Sequence, residues 1–137
     1  MSRQAALVVD DEPDIRELLT LTLTRLGLLV DTAGNVTEAK RRLAEQEYAI
    51  CLTGFRMPDG TGMDLVEHVA KNYPKVPIAI ITAYGSVDIA VGALKAGAFD
   101  FVSKPVDLTV LRRLVQSALK LAEERKAEPA PAATGPS

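Results

Sequence analysis

Short, almost uninterrupted apolar runs alternate along the chain with longer stretches whose apolar residues recur every three or four positions. Ala5-Ala6-Leu7-Val8-Val9 is the first run, and it breaks off at Asp10-Asp11-Glu12. Apolarity at every position, rather than every second one, predicts a strand covered on both faces, as in a parallel sheet. Pro13 suits a first helical turn, with Asp11, Glu12 and Asp14 around the positive end of its dipole. Ile15, Leu18, Leu19, Leu21, Leu23 and Leu26 then mark a helix that stops at Gly27.

The pattern repeats. Residues 28–30 predict a short second strand, and Asn35 followed by Glu38 has the spacing of a capping box opening a helix to about residue 46. A third strand covers 48–53 and leads into a loop with three glycines, Gly54, Gly60 and Gly62. Thr61 and Asp64 start a third helix, with Leu65, Val66 and Val69 inward, ending near Asn72. The fourth strand spans 76–82, with Pro77 tolerable only near its beginning. Ser86 and Asp88 begin an Ala-rich helix ending at Gly97; 99–103 is a brief fifth strand, closed by Lys104-Pro105. Asp107 caps a last helix through about residue 124, with Leu108, Leu111, Leu114, Val115, Ala118, Leu119 and Ala122 at helical spacing. From residue 126 the composition turns to Pro, Ala, Gly and Ser, so 126–137 read as a linker or tail behind a domain of residues 1–125.

Strands alternating with helices predict an α/β fold, a doubly wound five-stranded parallel sheet with five helices and the flavodoxin-like order 2-1-3-4-5. The 137 residues suffice for one such domain, and 47% apolar with 25% charged residues is ordinary for a globular chain. A net charge of −2 argues against direct nucleic-acid or anionic-membrane binding. Cys51 is the single cysteine and falls in a core strand, where an inert reduced thiol is expected. With no signal-peptide core and no apolar run near the ~18–20 residues of a membrane span, the chain is expected to be cytoplasmic.

In this topology the carboxyl ends of the strands gather on one edge. That edge carries Asp10 and Asp11, the Thr53-Gly54 hinge, Thr82 and Lys104. Adjacent carboxylates suit a hard cation such as Mg²⁺, while a lysine and a hydroxyl suit phosphoryl oxygens. Singly, these residues read as helix caps, a strand end and a solvated charge. Together on four strand ends they are parts for phosphoryl transfer, where positioning and charge neutralisation do most of the chemistry.

Val8-Val9-Asp10-Asp11-Glu12, Arg56-Met57-Pro58-Asp59-Gly60, Ile81-Thr82-Ala83-Tyr84, Gly97-Ala98-Phe99-Asp100-Phe101 and Ser103-Lys104-Pro105, in this order, resemble a response-regulator receiver domain (CheY-like) over residues 4–122. The loop wording is most similar to the NtrC-type transcriptional activators, and within them to pilus-gene regulators, in which ATPase and helix-turn-helix domains follow. The resemblance implies that Asp10, Asp11 and the backbone carbonyl of Arg56 hold Mg²⁺. It makes Thr82 the switch hydroxyl, Phe101 the aromatic switch residue and Lys104 the phosphoryl-binding lysine, with a cis peptide before Pro105. It also implies a sensor histidine kinase as partner, and self-association through the fourth helix, fifth strand and extended last helix. Val87, Ala90 and Ala93 would supply apolar surface on that face.

One position departs from the family. The phosphoacceptor aspartate is expected two residues before Arg56, and Gly54 stands there. Glycine has no oxygen to carry an acyl phosphate, and Asp59, five residues on, is not an obvious substitute. The site therefore has no catalytic side chain, and Mg²⁺ binding is expected to be weakened by the lost ligand, although a pairwise repulsion of roughly 4 kcal/mol at ~4 Å is relieved too. Retention of Asp10, Asp11, Thr82 and Lys104 around the glycine leans toward an isolated change. The alternative is a naturally degenerate receiver acting as a phosphorylation-independent interaction module. An Mg²⁺-dependent phosphotransfer enzyme is disfavoured: haloacid-dehalogenase-like enzymes place their aspartates one residue apart, and a flavodoxin-type site needs a Ser/Thr/Gly loop where Asp10–Asp14 stand. His68, the single histidine, reads as a surface residue of the third helix.

Overall fold

The computed structural model describes residues 4–83 and 85–127; Tyr84 and the tail from residue 128 lie outside them. The chain runs β1 (Ala5–Val9), α1 (Pro13–Arg25), β2 (Leu29–Ala33), α2 (Val36–Glu45), β3 (Ile50–Thr53), β4 (Arg56–Met57), β5 (Gly60–Thr61), α3 (Gly62–Asn72), β6 (Ile78–Thr82), α4 (Val87–Ala96), β7 (Asp100–Ser103) and α5 (Leu108–Ala127). Five strands form one parallel sheet in the order β2-β1-β3-β6-β7. Counting only these strands, that is the expected 2-1-3-4-5.

The apolar runs divide by strand period between two cores. Leu7 and Val9 of β1, Cys51 of β3, and Ile78 and Ile80 of β6 pack with residues of α2, α3 and α4. Ala6 and Val8, Ile50 and Leu52, and Ala79 and Ile81 pack on the other face with Leu19 and Leu23 of α1 and Leu111, Leu114, Val115 and Ala118 of α5. A strand apolar at every position is needed because both faces are roofed by helices. Cys51 is fully buried, and burial pushes its thiol up to about 12, so it stays protonated.

Helix starts follow local chemistry. Asn35 Oδ1 accepts the Glu38 N–H, while Glu38 Oε1 accepts the N–H of Gly34, one residue earlier than a standard capping box. Thr61 and Asp64 form the full box of α3, Ser86 accepts the Ile89 N–H, and Asp107 accepts those of Thr109 and Val110. Gly97 ends α4 at φ +116, a left-handed conformation that favours glycine.

Four features differ from the sequence pattern. β2 extends through Ala33, because Asp31 and Thr32 of this edge strand pair with Leu7 and Val8 while Asp31 receives bonds from Tyr48 Oη and Gln46 Nε2. The glycine-rich loop closes a two-residue antiparallel hairpin, β4 with β5. Of the residues expected on the surface of α4, Val87 is exposed, Ala90 is half-buried and Ala93 is fully buried, and Val91 and Leu94 complete the apolar surface with Val87. α5 reaches Ala127, and Arg125 near its end donates to the Pro74 carbonyl at 3.0 Å.

Candidate functional site

The β1 end places Asp10 in the floor of the carboxyl edge, 2% exposed. Its N–H bonds to the Ala33 carbonyl and its own carbonyl accepts Arg16 Nη1 at 2.6 Å, so the backbone there is pinned on both sides. Asp10 Oδ1 accepts the Glu12 N–H at 2.9 Å, and Oδ2 accepts Lys104 Nζ at 3.1 Å. Burial pushes this carboxyl above the usual carboxylate range; the Glu12 N–H and the Lys104 ammonium oppose the shift without cancelling it. Asp11 projects beside it into solvent.

Lys104 arrives from the opposite half of the sheet. β7 pairs with β6 through Thr82 and Ser103, and the Lys104 N–H then donates to the Thr82 carbonyl at 3.0 Å. The peptide between Lys104 and Pro105 is cis. The ammonium lies 3.1 Å from Asp10 and 2.7 Å from Glu12 Oε1. Burial alone would lower its pKa, but the two carboxylates outweigh burial and hold it above the usual lysine value. Thr82 is buried at the same edge, 2% exposed. Phe101 is half-buried; a Cβ on Gly85 would stand 2.7 Å from its ring, so that glycine makes room for it.

Gly54 caps β3, its N–H bonded to the Val9 carbonyl at 2.7 Å. A Cβ built there would lie 2.8 Å from Asp10 Oδ2, so a side chain at residue 54 would enter the acidic cluster. Gly62 holds the hinge from below: its N–H donates to the Phe55 carbonyl at 2.6 Å, and its own Cβ would run into the Gly54 carbonyl oxygen. Arg56 begins the β4–β5 hairpin with an exposed side chain.

Three residues that sequence reasoning left out of the site belong to its architecture. Glu12 takes the lysine, and its carboxylate oxygen lies within 4.8 Å of those of Asp10 and Asp11. Arg16 braces the Asp10 carbonyl. Asp59 is the N-terminal clamp of α2, accepting the Val36 and Thr37 N–H groups and the Thr37 hydroxyl at 2.8, 2.9 and 2.6 Å. No local signal marks this, since 22 residues separate Asp59 from Thr37. The Thr37 hydroxyl and N–H and the Val36 N–H pull Asp59 down to about 2. His68 is half-buried, its ring 5.8 Å from that of Tyr73 and its Nδ1 within 3.3 Å of Asn72 Nδ2.

The acidic cluster is an all-oxygen donor set of the kind a hard divalent cation takes, with Asp10 and Asp11 as the residues that would hold Mg²⁺. An open hollow of about 1030 Å³ lies at the opposite, amino edge of the sheet, lined by Leu29, Tyr48, Tyr73 and Ala122 among others, and shares none of these groups.

A doubly wound sheet with carboxylates, a buried hydroxyl and a lysine converging at its carboxyl edge is the receiver class of signalling domain. The chain belongs to that family, the response regulator receiver domain matching residues 6–116. It is 57% identical over 131 residues to response regulator protein PilR of Pseudomonas aeruginosa, across 96% of this chain and 29% of that protein. It is 34% identical over 126 residues to the DNA-binding transcriptional regulator NtrC of Escherichia coli, across 92% and 27%. Among solved structures it is similar to the beryllofluoride-activated NtrC4 receiver domain dimer, with TM-score 0.82 and 33% identity over 86% of this chain and 98% of that one. The receiver is thus of NtrC/PilR type, and the chain spans under a third of the length of these two curated relatives. Among the described residues no helix is long and apolar enough to cross a membrane.

Proposed function

We propose that this chain is a two-component receiver module uncoupled from its own phosphorylation. The observation that carries the reading is the geometry at Gly54: the position faces Asp10 Oδ2 at 2.8 Å from a would-be Cβ, beside the lysine, and brings no carboxylate. In a receiver the acceptor carboxylate attacks phosphorus and carries the phosphoryl group. Here the lysine and Thr82 remain to receive phosphoryl oxygens that residue 54 cannot deliver. Asp10 and Asp11, with the Arg56 carbonyl, would bind Mg²⁺ with one ligand fewer than the family set.

The rest of the module is intact in this reading. Its upstream partner is a sensor histidine kinase, and it works in the cytoplasm as a regulatory domain rather than an enzyme. Output passes by self-association to ATPase and DNA-binding domains of a longer protein. Val87, Val91 and Leu94, exposed by 79, 42 and 49% at i, i+4 and i+7 of α4, support this face as the contact surface. The NtrC4 receiver, named as a dimer in its activated form, is the precedent.

Labelling with acetyl phosphate tests the reading. Gly54→Asp is expected to take up phosphate in the presence of Mg²⁺ while the parent chain does not. Equal labelling of both would put the acceptor elsewhere and sink the assignment.

A further inference from the structure

We propose that the hollow at the amino edge of the sheet is a docking groove for this chain's own Pro/Ala segment, residues 129–134, laid back across it from the end of α5. The inference goes beyond the phosphorylation reading and does not depend on it.

The hollow, about 1030 Å³, opens where the strands begin, and Leu29, Tyr48, Tyr73, Val76 and Ala122 supply apolar wall. Leu29 is 52% exposed at the start of edge strand β2, a large apolar side chain left in water. The two aromatic residues are held in place. Tyr48 Oη donates to Asp31 at 2.8 Å, while the Tyr73 N–H bonds to the Val69 carbonyl and the Tyr73 carbonyl accepts the Val76 N–H. Fixed aromatic walls are what proline-rich segments dock on, because an extended polyproline backbone is preformed and loses little entropy on binding.

The chain itself delivers such a segment to the mouth of the hollow. α5 follows β7 and runs back from the carboxyl edge until Ala122 lines the hollow. Arg125 Nη1 donates to the Pro74 carbonyl at 3.0 Å and ties the end of the helix to the wall. α5 ends at Ala127, about 7.5 Å along the helix from Ala122. Glu128-Pro129-Ala130-Pro131-Ala132-Ala133-Thr134 follows, and beyond Glu128 it carries no charge. At about 3.1 Å per residue, 129–134 would span roughly 19 Å, enough to turn back over the hollow. The rim charges Glu45, Glu47 and Lys75 stay exposed to water beside an uncharged occupant. A tether this short holds the segment at an effective concentration of about millimolar, so a weak contact suffices. Docking fixes the direction in which the chain leaves α5.

Spin labelling of the full chain tests this. Ala132→Cys provides one reactive thiol, because Cys51 is fully buried and stays protonated. A nitroxide there is expected to broaden the amide signals of Ala5, Ala49 and Val76. Leu29→Asp, at an exposed site, and the pair Pro129→Gly with Pro131→Gly, beyond α5, are each expected to reduce that relaxation enhancement about threefold. The amide spectrum of each variant reports its fold. Equal broadening in all three chains would show a label that merely passes the edge, and overturn the proposal. Absence of broadening in the parent would overturn it as well. Mixed with isotope-labelled chain that carries no nitroxide, the nitroxide chain is expected to leave these signals unchanged. Broadening in the mixture would put a second copy's segment in the hollow and overturn the assignment to the same chain.

Discussion

Two aspartates in neighbouring loops on the same edge have opposite fates. Asp10 ends β1 and is buried, its carboxyl held above the ordinary range by desolvation despite a lysine at 3.1 Å. Asp59 sits at the tip of the β4–β5 hairpin, and hydrogen bonds from Thr37 and Val36 pull it down to about 2. One carboxyl is desolvated, with Lys104 and the Glu12 N–H as its hydrogen-bond partners. The other already accepts three hydrogen bonds at the start of a helix, which tie both of its oxygens to the α2 backbone and the Thr37 hydroxyl. In the proposed reading this difference is what keeps a nearby aspartate from standing in for a carboxylate at residue 54: the shared residue type matters less than what its oxygens already accept.

The strongest way to break this contrast is to unseat the hairpin that carries Asp59. Gly62→Ala puts a Cβ onto the Gly54 carbonyl oxygen, a backbone atom that cannot rotate away. A loss of about 3 kcal/mol in urea denaturation is expected; a loss under about 1 kcal/mol would show that the hinge is soft. Asp10→Asn has the opposite sign. It removes a carboxyl whose charged form burial disfavours, keeps an oxygen for the Glu12 N–H and leaves Lys104 its contact with Glu12, so in chelator the fold should gain about 1 kcal/mol. A net loss would mean that the lysine pair outweighs desolvation.

Asp59→Asn should give the smallest effect and a pH signature. A carboxyl held below its unfolded value stabilises the fold above that value and loses the contribution as pH falls through the folded one. The parent's advantage over Asp59→Asn is therefore full above about pH 4 and fades toward its folded value of about 2. Stability measured from pH 6 down to 2.5 checks it. A gap that stayed constant would mean that the caps do not need the charge.

Most of the fold was legible because its signals are local. Runs such as Leu7-Val8-Val9 and Ile78–Thr82 declare both-face burial, and Asn35, Thr61, Ser86 and Asp107 mark helix starts by their own hydrogen bonds. The pattern ends β2 early because Asp31 and Thr32 are polar; only its neighbour β1 on the sheet makes them strand. Ala93 carries no sequence signal of its side because alanine suits either side of a helix, and only the packing of α4 buries it. The site residues were legible as types at strand ends, and their roles rested on resemblance. The Lys104–Glu12 contact was not legible, because 92 residues separate the partners.

Sequence by itself determined the element order, the two-faced burial of the strands, and the absence of a carboxylate at residue 54, since each depends on residue type and spacing along a few turns of chain. The tertiary structure alone decided where the remaining charges point. Crossover connections bring β7 within reach of β1 through β3 and β6, so that Lys104 meets Asp10 and Glu12, 94 and 92 residues away along the chain, a property of packing rather than of any local pattern.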